Sequence, residues 1–119
     1  MSREFAAHVC ELLAPLGPVT PRAMFGGFGL YLEGRMFGLI AWDTLFFKTD
    51  DGNRADYVTA GMDPFRPYPD RATTMPYHEV PPDLLEDGER LCLWGRKAFE
   101  VALRAPVKAK RKASPARSA

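Results

Sequence analysis

At 119 residues, with 46% hydrophobic and 26% charged side chains, the chain is the size and composition of one folded domain with a core of its own and lies far from the profile of disorder. No apolar run approaches membrane length, and Met1 to Leu13 carries Arg3, Glu4, His8 and Glu11, which excludes a signal-peptide core and implies a cytoplasmic address without membrane contact. The net charge of +1 hides an asymmetry: of 16 Lys and Arg, five lie in residues 106–119, leaving 11 against 15 acidic side chains in residues 1–105.

In chain order, Phe5, Val9, Leu12, Leu13 and Leu16 draw one apolar stripe and predict a helix from about Arg3 to Ala14, stopped by Pro15 and Gly17-Pro18. From Arg22 to Lys48 the pattern becomes short apolar segments broken at Gly26-Gly27, Glu33-Gly34 and Asp43-Thr44, which predicts an antiparallel meander of three or four strands. The double glycine is expected to mark a kink or bulge in a strand, and Glu33-Gly34 a type I turn with Gly34 left-handed. Strict alternation would send Met36, Gly38, Ile40 and Trp42 to one face and Phe37, Leu39 and Ala41 to the other. Both sets are apolar, so helices, a loop or a second copy of the chain must cover both sides of that strand.

Asp50 and Asp51 precede a helix expected from about Asn53 to Ala60, ended by Gly61. Pro64, Pro67 and Pro69 around Phe65 and Tyr68 predict a proline-stiffened loop, and Thr74 to Val80 a short strand that Pro76 relegates to an edge. Pro81-Pro82-Asp83 opens a helical region, with Asp87-Gly88 before a longer helix carrying Leu91, Trp94, Gly95, Ala98, Phe99 and Ala102 on one face, stopped by Pro106. The fold class is α+β: helix, three-to-four-stranded meander, helix, one or two further strands, C-terminal helix. Residues 1–105 form the expected domain and residues 106–119 a disordered basic tail.

Chemistry-bearing patterns are sparse, and the reading is of no catalytic residues, no cofactor and no metal site. Gly26-Gly27-Phe28-Gly29 leads into the strand Leu30-Tyr31-Leu32 where a phosphate loop would lead into a helix. His8 and Cys10 diverge on their helix, His78 and Glu79 alternate on their strand, and a pair such as His78 with Cys10 or Cys92 would have to be assembled through space. Cys10 and Cys92, far apart and outside any metal-ligand spacing, read as buried reduced thiols. Trp42, Trp94, Phe46, Phe47 and Tyr31 read as core aromatics, because only Arg35 and Lys48 supply the cations a base-stacking sheet needs. In the tail, Lys108, Lys110, Arg111, Lys112 and Arg117 are candidate nucleic-acid contacts, weak and indifferent to sequence, set against a solvated extension.

Three blocks together carry a resemblance. Arg22-Ala-Met-Phe-Gly-Gly-Phe-Gly-Leu-Tyr31, Gly34-Arg-Met-Phe-Gly-Leu-Ile40, and Tyr77-His-Glu-Val-Pro81 with Leu91-Cys-Leu-Trp-Gly-Arg-Lys-Ala98 resemble the N-terminal domain of the TfoX/Sxy proteins. The resemblance covers nearly all of residues 3 to 104, and Arg22, Met24, Phe25, Gly26, Gly27, Gly29, Tyr31 and Gly34 match the family signature, read as positions that determine the fold. It implies an architecture related to dimeric secretion chaperones, a homodimer, no catalytic residues, and a regulatory role through a protein partner, with the transcription machinery of competence genes as the expected setting. Two-domain members follow this domain with a second one, a place this sequence gives to its basic tail. The alternative from another class is a chaperone-like adaptor that holds a peptide and has no connection with transcription.

Overall fold

The computed structural model describes residues 3–24, 26–67 and 74–105. Helix α1 (Arg3–Leu12) buries Ala6 and Val9 and passes through Leu13 into a 3-10 turn at Ala14–Leu16 that contains Pro15. Four strands follow as a meander: β1 (Thr20–Met24), β2 (Gly27–Leu32), β3 (Arg35–Ala41) and β4 (Thr44–Lys48). A short helix α2 (Arg54–Thr59), a two-residue strand β5 (Pro64–Phe65), strand β6 (Met75–Glu79), a 3-10 turn at Pro82–Glu86 and the long helix α3 (Gly88–Arg104) complete the order. The strands form one antiparallel sheet in the order β1-β2-β3-β4-β6-β5, so the chain is α+β as the periodicities imply.

The helix ends follow the local rules. Asp87 caps α3 by accepting from Arg90 N–H at 3.3 Å, and Gly61, at φ +77°, ends α2 while Met62 N–H returns to the Tyr57 carbonyl. The stretch before α2 is fastened twice: Asp50 accepts from Gly52 N–H at 2.7 Å, and Asn53 accepts from Asp50 N–H at 2.9 Å. Asp50 also takes a two-pronged contact from Arg104, at 3.1 and 3.0 Å, which ties the last turn of α3 to that stretch and holds the Asp50 carboxyl below its ordinary range.

Turn geometry departs from the sequence expectation at three places, each with a local cause. Met24 pairs with Gly27, so the double glycine closes the β1–β2 hairpin instead of kinking a strand, with Gly26 at φ +79°. Both residues of the β2–β3 turn, Glu33 and Gly34, have positive φ (53° and 78°), the mark of a type I′ turn. The β3–β4 turn is again two residues, Trp42 and Asp43, at φ 53° and 55°. Two-residue hairpins match the twist of their strands in the primed turns, and here that preference overrides the reluctance of Glu, Trp and Asp to enter the left-handed region.

The strand faces also differ from strict alternation. Leu30 pairs with Gly38 but Tyr31 pairs with Met36, so Phe37 is the extra residue of a β-bulge. Phe37, Gly38 and Ile40 therefore face the helices, and Met36, Leu39 and Ala41 face the other way. Pro76 does not place β6 at an edge. Its carbonyl accepts from Thr49 N–H at 2.9 Å, so its missing N–H is on the β4 side, just past the last β4–β6 pair, Lys48 with Tyr77.

The main core lies between the sheet and α1, α2 and α3, with Val9, Leu13, Leu30, Phe37, Phe47, Leu45, Leu84 and Leu91 fully buried. Each such side chain contributes about 1.5–3 kcal/mol, so this layer carries the stability of the fold. Gly95 lets α3 approach the sheet: a Cβ there would stand 3.1 Å from Leu13 and 3.3 Å from Phe47. The other sheet face has a smaller buried cluster, Leu39, Phe46, Phe65 and Tyr77, with Met36 and Ala41 against it.

Gly27 has no room for a side chain, since a Cβ would sit 2.1 Å from the Ile40 carbonyl oxygen, whereas one at Gly26 meets nothing within 4 Å. Gly27→Ala is expected to cost about 1–3 kcal/mol by forcing backbone apart, and Gly26→Ala about 1–2 kcal/mol from its positive φ alone. Urea unfolding of both variants checks this; a Gly27→Ala protein as stable as the parent would contradict it.

Candidate functional site

The face of the sheet away from the helices forms a groove of about 980 Å³ to which all six strands contribute. Met24 comes from β1, Gly27 and Tyr31 from β2, Met36, Leu39 and Ala41 from β3, Lys48 from β4, Phe65 from β5, and Met75 and Tyr77 from β6. Ala102 and Ala105, at the end of α3, close one side, beside Arg35, whose guanidinium donates to the Ala102 carbonyl at 3.3 Å.

The bulge at Phe37 and the glycine at position 29 build its floor. The bulge turns Met36 and Leu39 into the groove, and a Cβ on Gly29 would lie 3.0 Å from the Met24 sulfur and 3.1 Å from the Met36 sulfur. The two thioethers thus settle over a backbone that presents no side chain of its own. Arg22 stacks over the Tyr31 ring at 4.8 Å, and Lys48 over the Tyr77 ring at 5.0 Å. Burial pushes the Tyr77 hydroxyl up to about 12, so it stays protonated at neutral pH and can donate a hydrogen bond.

Trp42 stands at the rim. It is 60% exposed, sits in the left-handed turn, and leans on Phe65 with ring centroids 5.8 Å apart. The hairpin accounts for its positive φ; what the turn does not require is a bulky aromatic ring left largely in solvent at the edge of the groove.

The signature residues converge at the β1–β2 end of this groove. Met24, Gly26, Gly27, Tyr31 and Gly34 line it, Arg22 covers Tyr31, and Gly29 lies beneath the sulfurs, while Phe25 lies outside the described residues. The tail cations Lys108, Lys110, Arg111, Lys112 and Arg117, and Tyr68 and Pro69 of the proline loop, also lie outside them. Of the expected core aromatics, Phe46 and Phe47 are buried, Tyr31 and Trp94 half-buried, and Trp42 exposed. Sequence reasoning missed Met36, Met75, Tyr77 and Trp42 as members of one surface; an apolar residue on a strand looks the same whichever face it takes.

The groups with catalytic chemistry are dispersed. Cys10 and Cys92 are free and half-buried, not fully buried as expected, because both stand at the margin of the helix layer. Burial raises both thiols above their ordinary range, and Cys92 donates to the Leu12 carbonyl at 3.2 Å. His78 faces the helix layer, with Nδ1 2.9 Å from the Thr49 hydroxyl and its ring 5.6 Å from that of Tyr57. No thiol is among its partners. Among the described residues no group of three or more His, Cys, Asp or Glu is arranged to hold a metal, and no helix is long and apolar enough to cross a membrane.

An α+β domain with one sheet face buried under helices and the other shaped into an apolar, cation-rimmed groove is the class that fold and site define. The TfoX N-terminal domain model matches residues 11–102, and the chain belongs to that family. Comparison with curated proteins returns no match.

Burial, followed by the nearby Arg54 charge, holds His78 below its ordinary value of about 6.5, against a smaller opposing effect of Asp63. The unfolded chain then binds the proton more readily than the folded one. Stability should be fully present above about pH 6.5 and decline as pH falls from there toward the lower folded-state value. Urea midpoints between pH 7.5 and 5 test this; His78→Gln should flatten that part of the profile, and an unchanged slope would assign it to other groups.

Proposed function

We propose that this chain is a non-enzymatic regulatory protein of the TfoX family that acts by holding a segment of a protein partner on its grooved sheet face. The observation that carries the reading is the groove itself: apolar, lined by three methionines and several aromatic rings, and bordered by the exposed Trp42. Methionine-rich apolar surfaces suit side chains of varied shape, which is the property a partner-binding face needs. Family membership supports the regulatory part, and the resemblance makes the transcription machinery the first partner class to test. The reading as a chaperone-like adaptor uses the same face and differs in the identity of what is held.

Placing the photo-crosslinking residue p-benzoylphenylalanine at position 42, and separately at the exposed Leu93 of α3, tests this in cells. A discrete adduct from position 42, with none from 93, is expected. Identification of that adduct as RNA polymerase or a transcription factor supports the regulatory reading, and a secreted or enzymatic client the adaptor. Adducts from position 93 alone would move the binding surface to the helix layer.

A further inference from the structure

Buried polarity in this domain is concentrated at one junction. Among the described residues the buried polar side chains are Thr49, Asn53 and His78, and all three lie where α2 meets the end of β4 and strand β6. His78 Nδ1 stands 2.9 Å from the Thr49 hydroxyl. The Asn53 amide donates to the Lys48 carbonyl at 3.1 Å and accepts from Asp50 N–H at 2.9 Å. Tyr57 completes the cluster: it is 1% exposed, its ring lies 5.6 Å from that of His78, and its hydroxyl has no hydrogen-bond partner among the described residues. A buried phenol without a partner weakens the seated state instead of securing it.

Helix α2 is thinly held by the standards of α1 and α3. It spans six residues, too few to persist alone in water, and buries only Tyr57. Toward α3 it offers the Tyr57 ring against Trp94, with centroids 4.8 Å apart, and the exposed Asp56–Lys97 ion pair at 2.9 Å. Elements with so few buried apolar contacts are the first to open while the rest of a domain stays folded.

His78 couples that opening to the proton. The groups that face its ring are Thr49 from the end of β4, Tyr57 and Arg54 from α2, and Asp63 from the stretch before β5. Its neighbours on β6, Tyr77 and Glu79, belong to the opposite face of the sheet, and Asp56 is turned to Lys97. A proton on the ring adds a cation beside that of Arg54 in a site closed to water, offset only in part by Asp63. Once α2 has moved away the ring is solvated and takes the proton at its ordinary strength. The proton therefore favours the detached arrangement over the seated one.

We infer that α2 is a pH-sensitive latch: protonation of His78 releases α2 from β6 and bares Trp94, while the sheet, α1 and α3 stay folded. The latch is shut at neutral pH, opens as pH falls below about 6.5, and shuts again when the pH is restored. It lies on the helix side of the sheet, so it goes beyond the partner-binding reading of the groove and does not depend on it.

Amide hydrogen exchange, read residue by residue in the full chain between pH 7.5 and 5.5 and corrected for intrinsic rates, tests this. The amides of Ala60 and Met62, which return to the Asp56 and Tyr57 carbonyls, should lose protection at least about threefold. Those in the α3 interior around Ala98 should keep theirs. Trp94 emission, isolated in a Trp42→Phe variant because the chain has two tryptophans, should move to the red over the same range. His78→Gln should keep α2 protected throughout. Asp56→Asn, which removes the Lys97 contact, should lower protection at every pH and leave its pH dependence in place. Should His78→Gln fail to fold, the parent protein decides: the His78 ring titration followed by NMR must run in step with the loss of α2 protection. Protection lost together from α2 and α3, α2 protection that stays constant while the ring takes up its proton, or the same pH dependence in His78→Gln overturns the inference.

Discussion

The register shift that inserts Phe37 into β3 is the constraint on which the rest of the structure depends. Without it, Met36, Gly38 and Ile40 would share a face, and the helices could not receive both Phe37 and Ile40 while the other side received both Met36 and Leu39. With it, the strand delivers Phe37 to a stacked contact with Phe47 and an edge contact with Phe99, with centroids 6.0 and 6.1 Å apart, which locks α3 onto the sheet. The same residue turns Met36 and Leu39 to the groove. One extra residue thus sets both the packed helix-side layer and the grooved layer opposite it.

Two apolar faces on one sheet need different fates. The helix side is closed by complementary packing, with Gly95 thinned to let α3 settle and Asp50 gripping Arg104 at the far end. The groove side keeps smaller contacts: Phe46 meets Phe65 at 4.8 Å, Trp42 leans on Phe65, and cations lie over Tyr31 and Tyr77. Those contacts order the surface without filling it. The family signature falls mainly at one end of this second face. Its glycines have separate physical roles there: Gly26 makes the turn, Gly27 clears the Ile40 carbonyl, and Gly29 leaves space for two sulfurs.

The helices were legible because their signals are local. The Phe5, Val9 and Leu12 stripe, the break at Asp87-Gly88 before the long helix and the Gly61 stop each act within a turn or two of chain and are found where their spacing places them. The strand faces were not, since Met36 through Ala41 contains no polar residue to mark which side a step belongs to, and the bulge changes phase silently. Pro76 misled because its missing donor falls on the β4 side just beyond the last paired residue of that strand, Lys48. The groove was least legible of all: its members are spread from Arg22 to Ala105, and only the pairing order β1-β2-β3-β4-β6-β5 brings them together.

The central claim is that the second face stands ready for a partner while the first is closed, and methionine methyl signals report on it directly. In protein labelled at the methionine and leucine methyl carbons, a soluble nitroxide should broaden Met24, Met36 and Met75 strongly and leave Leu30 and Leu84, fully buried in the helix-side core, nearly unchanged. If Met24, Met36 and Met75 were as protected as Leu30 and Leu84 in the monomeric protein, the face would be covered by the chain's own residues and the account of it as a partner surface would be wrong.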